Sequence, residues 1–137
     1  MTRGAAVPAG TLVLDSDGLA KAVLRDREVT AWLATALADD LRVVTSAATL
    51  VEAVHPRINR PALEWTLSRL VVEPVTESIA RHAAALLADA GLHGHKHAVD
   101  AMLSATALAA PGPVTILTSD PDDLAALCGS RLAVVKV

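Results

Sequence analysis

Phenylalanine and tyrosine are absent from this chain, and Trp32 and Trp65 are its whole aromatic complement. The interior must therefore be aliphatic, and a row of stacked rings for single-stranded nucleic acid is excluded. Cysteine is nearly absent as well. Cys128 stands alone, so the chain has no internal disulfide framework, a reducing compartment suits it, and an inert packed thiol is expected. No large excess of one charge exists either: the formal net charge is −3, unlike that of a protein held to DNA by a broadly basic face. A cluster of carboxylates around a metal would lower that count while leaving a basic rim. Apolar runs break at charges well short of the roughly 20 residues of a membrane span. Residues 1–10 carry one Arg and no long apolar stretch, unlike a signal peptide. The expectation is a cytoplasmic protein without membrane contact, a single domain over residues 1–137 with residues 1–10 as a flexible N-terminus.

What is present is aliphatic and organised. Hydrophobic residues make up 53% of the 137 positions, enough for a packed core. Short β-branched runs, apolar on both faces, read as buried parallel strands: Thr11 to Leu14, Val43 to Thr45, Leu70 to Val72, Val114 to Leu117 and Ala133 to Val135. Helical spacing covers Val29 to Asp39, Ser46 to Val54, Pro61 to Leu70, Thr76 to Ala90, Ala98 to Ala109 and Asp122 to Leu127. Ser46 and Thr76 suit N-caps, Pro61 suits a first turn, and Gly91 and the Pro111-Gly112-Pro113 segment suit stops. Strands alternating with helices over short links predict a three-layer α/β/α fold around a parallel sheet of four to five strands.

In open parallel sheets ligands sit beyond the carboxyl ends of the strands. Asp15 ends the first strand there and Asp120 the fourth. Two further acids interrupt apolar helical stretches: Glu52 within Leu50 to Val54, and Asp100 within Ala98 to Leu103. A carboxylate on a buried face is costly unless something neutralises it. Glu52 has no Lys or Arg at helical spacing, and Lys96 is the one basic residue so placed for Asp100. A divalent cation would serve all four acids, and hard oxygen donors suit Mg²⁺ or Mn²⁺. Taken singly, each has a plainer reading, as a helix cap or a solvated charge.

In these residues the chain resembles the PIN-domain ribonucleases, in particular the VapC-type toxins of bacterial toxin–antitoxin pairs, over Leu12 to Val137. Val13-Leu14-Asp15-Ser16-Asp17 resembles the family's strand-ending Asp followed by a small hydroxyl residue, and Thr45-Ser46 leads into the helix that carries Glu52. Asp100-Ala101 followed by Ala105-Thr106-Ala107 is close to the family's Asp-Ala-x-x-x-Ala-Thr-Ala helix. Thr118-Ser119-Asp120, followed by Asp122 and Asp123, is similar to its last acidic motif. The resemblance implies that Asp15, Glu52, Asp100 and Asp120 are catalytic and bind one or two Mg²⁺ or Mn²⁺ ions, with Asp122 as a fifth acid. Ser16, Asp17, Thr118 and Ser119 would support them. It further implies cleavage of single-stranded or structured RNA to a 5′-phosphate and a 3′-hydroxyl, a homodimer, and a small antitoxin partner. A divalent ion would supply hydroxide near neutral pH and neutralise charge building on the phosphate. The loop before the third motif, Leu92 to His97, departs from the family, which often has Arg or Lys there.

Two other readings compete. Asp15-Ser16-Asp17-Gly18 also looks like the opening motif of haloacid-dehalogenase-type phosphatases, in which Asp15 would be a nucleophile. That reading leaves Asp100 without a role and finds Ser119 where such enzymes usually have Gly. A catalytically silent PIN module that only binds a partner is the other. At the rim, Arg57, Arg60 and Lys96 could contact RNA phosphate or antitoxin carboxylates. His93, His95 and His97 read as a solvated basic loop rather than a zinc site, which needs three or four converging ligands. Trp32 and Trp65 read as core or dimer-interface residues.

Overall fold

The computed structural model describes residues 9–137. Residues 1–8 of the expected flexible N-terminus lie outside the described residues, whereas Gly10 is buried. Five strands, β1 (Thr11–Leu14), β2 (Arg42–Ser46), β3 (Val71–Glu73), β4 (Val114–Thr118) and β5 (Ala133–Lys136), form one sheet in the order β3-β2-β1-β4-β5. Every pairing is parallel, and β1, β4 and the end of β2 are buried as expected, whereas β3 and β5 are only partly buried because they form the sheet's edges. The helices are α1 (Ser16–Val23), α2 (Arg27–Ala38), α3 (Thr49–Ala53), α4 (Arg60–Leu67), α5 (Glu77–Ala90), α6 (Gly94–Ala109) and α7 (Pro121–Cys128).

The two faces of β1 account for the layers. Leu12 and Leu14 pack with Leu19 and Ala22 of α1 and Val29 and Ala36 of α2. Val13, facing the other way, packs with Leu103 and Ala107 of α6 and Leu124 of α7. On the outer side of α6, Ala101 and Ala105 take Ala83 and Leu86 of α5. Small residues along α6 let three elements crowd around it without an aromatic ring. Trp32 packs against the first of these clusters. Trp65, by contrast, is 54% exposed, with the guanidinium groups of Arg25 and Arg69 over its ring at 5.3 and 5.2 Å, so it is no core residue.

Several expected boundaries move, each for a local reason. Helix α1 was not among the expected helices; Asp15 caps it by accepting the Gly18 N–H at 2.7 Å. Gly18 is required there because a Cβ would lie 2.8 Å from the Leu117 carbonyl oxygen. Ser46 is not the cap of α3. It ends β2, its hydroxyl accepts the Ala48 N–H, and the helix begins at Thr49. Helix α6 starts at Gly94 rather than Ala98, with a kink at His97 (φ −116°, ψ 16°). Thr76 and Gly91 behave as expected, the first capping α5 and the second ending it in the left-handed region at φ 67°.

Candidate active site

The chain leaves β1 for β2 and β3 on one side, then crosses to β4 on the other, so the strand order reverses between β1 and β4. A crevice opens at such a point beyond the strands' carboxyl ends. Leu14 and Leu117 are in register, and the Asp15 N–H donates to the Leu117 carbonyl at 3.3 Å. A cleft of about 340 Å³ lies there, lined by Asp15, Ser16, Asp17, Glu52, His55, Asp100, Thr118 and Asp120 together with Ala20 and Ala53.

The acids arrive by different routes. Asp15 is 7% exposed, bound by the Gly18 N–H and the Thr118 hydroxyl. Burial dominates these bonds and pushes its pKa from 3.8 up to about 6, with Asp17 and Asp100 adding repulsion. Asp100 projects from α6, half-buried. Its pKa is also raised, first by burial and then by the charges of Glu52 and Asp123. Asp120 takes the cap position of α7 but makes no capping bond with its side chain, and its N–H donates to the Thr118 Oγ1 at 3.0 Å. Thr118 thus serves both strand-end acids. Glu52 differs from the expectation of a buried-face carboxylate. It is exposed, as is Val51 at 81%, because α3 is a short helix with only Thr49 and Ala53 buried. It reaches the cleft held by the Ser16 hydroxyl at 2.6 Å. The floor under α3 is a hydroxyl chain in which Thr45 donates to the Leu14 carbonyl and Thr49 to the Ser46 carbonyl, each at 2.7 Å.

Asp122 is exposed and does not line the cleft; its neighbour Asp123 is the acid whose charge acts on Asp100. Helical geometry decides this, since residues at consecutive positions point about 100° apart. Ser119 is half-buried outside the lining, while Asp17 is exposed at its edge. Arg57, Arg60 and Lys96 are exposed, the first two just beyond His55. The basic side chain beside Asp100 is His97, not Lys96, with Nδ1 3.9 Å from Asp100 Oδ2. His97 is buried, so the histidine run is not a wholly solvated loop. Three residues thus stand at or beside the site in addition to the acids expected to hold the metal: His55 lines the cleft, while His97 and Asp123 approach Asp100 at its side. Only the His-x-His-x-His run and the acid pair after Asp120 hinted at two of them.

No Lys or Arg stands among the described residues that line the cleft, so its five carboxylates are uncompensated by protein cations. Hard, anionic oxygen donors converging on an open cleft are a donor set that fits a divalent cation. A doubly wound parallel α/β domain with an acidic crevice at its switch point is the class that fold and site define. The PIN domain family matches residues 12–129, and the chain belongs to that family. PIN domains are generally nucleases. Membership removes the phosphatase reading of Asp15.

Solved structures share the fold. VapBC2 from Rickettsia felis, bound to a DNA fragment from its promoter, matches with a TM-score of 0.70 at 18% identity, covering 93% of this chain and 98% of that one. FitAcB from Neisseria gonorrhoeae matches at 0.61 and 23% identity over 91% of this chain and 96% of that one. FitAB bound to the IR36 DNA fragment matches at 0.61 and 22%, covering 91% and 94%. No curated protein sequence matches the chain. Among the described residues no helix is long and apolar enough to cross a membrane.

Proposed function

We propose that this PIN domain is a Mg²⁺- or Mn²⁺-dependent endoribonuclease and the toxin of a toxin–antitoxin pair. The observation that carries the reading is the convergence of Asp15, Glu52, Asp100 and Asp120 on one cleft without a compensating Lys or Arg. Two of these acids are held with raised pKa values, a state a bound cation would reverse. Asp15, Asp100, Asp120 and Glu52 would hold the ion, which supplies an activated water and charge neutralisation for an in-line phosphodiester cleavage. The remaining work belongs to this chain's own groups. Thr118 and the Gly18 N–H fix the Asp15 carboxylate, and Ser16 fixes Glu52. Arg57 and Arg60, exposed beyond His55, offer guanidinium groups to RNA phosphates arriving at the cleft.

The antitoxin reading draws support from the neighbours, which are complexes named VapBC2, FitAcB and FitAB. We propose a cognate antitoxin and a homodimer for this chain as well, in the cytoplasm. The test is cleavage of total RNA by purified chain with Mg²⁺ or Mn²⁺, against EDTA and against Asp100→Asn. Metal-dependent products with 5′-phosphate ends, lost in the variant, support the reading. Equal cleavage by both proteins removes Asp100 from the mechanism. No cleavage by either, with the fold intact and the chain still captured by the product of a neighbouring short gene, leaves a silent binding module in its place.

A further inference from the structure

We propose that His97, Asp100 and Asp123 form a site for a divalent transition-metal ion, with Zn²⁺ the best fit, beside the carboxylate cleft and sharing Asp100 with it. His93 and His95 of the same run are exposed, whereas His97, at the kink, is 7% exposed. The buried Nδ1 has no hydrogen-bond partner among the described residues. Buried ring nitrogens are ordinarily satisfied, so an orphan aimed at two carboxylates calls for a ligand.

The geometry supplies one. Nδ1 lies 3.5 Å from Asp123 Oδ2 and 3.9 Å from Asp100 Oδ2, and the three ligand atoms fall within 4.8 Å of one another. Tetrahedral Zn²⁺ with bonds of about 2.0–2.1 Å sets its ligands about 3.4 Å apart. The His97–Asp123 pair already has that spacing, and rotation of the half-buried Asp100 and Asp123 side chains would close the rest. These residues come from two packed elements, α6 and the first turn of α7, so the site exists only in the folded chain. An imidazole nitrogen in the set favours Zn²⁺ over Mg²⁺, which prefers oxygen alone. Three protein ligands leave the fourth position of the ion open. Because Asp100 also faces Glu52 and Asp120, an ion held by His97 competes for, or bridges to, the carboxylates of the main cleft. The inference concerns binding and does not depend on RNA cleavage.

Calorimetric titration of the metal-free full chain with Zn²⁺, and Co²⁺ absorption as a coordination signature, test it. One ion per chain is expected at the His97 site, counted apart from any ion that the main cleft takes up. His97→Gln and Asp123→Asn should each weaken Zn²⁺ binding at least tenfold, with Mg²⁺ binding unchanged in His97→Gln. A double variant His93→Ala, His95→Ala and, separately, Asp15→Asn should keep Zn²⁺ affinity within about threefold. Wild-type affinity in His97→Gln overturns the proposal, as does loss of binding in the His93/His95 variant or an equal loss in Asp15→Asn. Should His97→Gln fail to fold, long-range ¹H–¹⁵N spectra of the wild-type chain decide. A stoichiometric Zn²⁺-induced shift of the His97 Nδ1 resonance sustains the site, and a shift confined to other histidines overturns it.

Discussion

The Ser16 hydroxyl donates a 2.6 Å hydrogen bond to Glu52 Oε1, joining residues 36 positions apart and tying the first turn of α1 to α3. Glu52 sits on an exposed helix face, so this bond, rather than burial, gives its carboxylate one orientation toward the cleft. Ser16→Ala should leave stability within about 1 kcal/mol, since the bond is exposed. RNA cleavage should fall several-fold to about tenfold, chiefly in kcat, and Ser16→Thr should restore part of it. A Ser16→Ala protein that cleaves like wild type would show that Glu52 needs no such support.

Asp15 sets stability against function. Its pKa in the metal-free fold, about 6, lies above the ordinary 3.8. The folded chain therefore binds this proton more tightly than the unfolded chain. The stabilisation is complete below about pH 3.8 and is lost as pH rises through about 6, a swing of roughly 3 kcal/mol. Asparagine at this position keeps a capping acceptor without the charge. In EDTA, Asp15→Asn should become progressively more stable than wild type between pH 4 and 7 by urea denaturation, while losing RNA cleavage. Mg²⁺ should then narrow the gap by stabilising wild type alone. Parallel pH profiles for the two proteins would refute the burial effect.

Gly18→Ala should destabilise the chain by about 1–3 kcal/mol, the range for forcing extra atoms into a packed site. Its new Cβ would meet the Leu117 backbone oxygen at 2.8 Å, and backbone cannot swing aside as a side chain can. The same push displaces Asp15, so cleavage should fall beyond what thermal unfolding accounts for. A melting temperature equal to that of wild type would contradict the close approach of α1 to β4.

Cys128 is fully buried between α7 and the sheet, and burial raises its thiol pKa. Thiolate, the reactive form, is thus scarce and shielded. Ellman's reagent should leave the native chain unmodified at pH 8 and label it fully in denaturant. Rapid labelling of native protein would mean that α7 opens readily.

The alternation of aliphatic strands with helices was written in the residues themselves. Two-sided apolar runs such as Thr11 to Leu14 have few alternatives to a buried parallel strand, and Thr76 and Gly91 mark their helix ends by local chemistry. The strand-end acids Asp15 and Asp120 and the Asp100 helix were legible on the same grounds, because each stands out against an apolar run. Tertiary structure decided what sequence spacing cannot carry. Asp-Ser-Asp-Gly does not announce a helix, and α1 can start there only because Gly18 lacks the Cβ that would lie 2.8 Å from the Leu117 carbonyl oxygen of β4. Glu52 reads as a buried charge in its apolar turn, yet it is exposed and oriented by Ser16. Which acid after Asp120 approaches Asp100 depends on how α7 is rotated against α6. That rotation, set by packing of Leu124 and Leu127, brings in Asp123 and leaves Asp122 outside. Local propensity belongs to neighbours in the chain, whereas a site gathered from β1, α3, α6 and β4 depends on contacts between residues that only folding brings together.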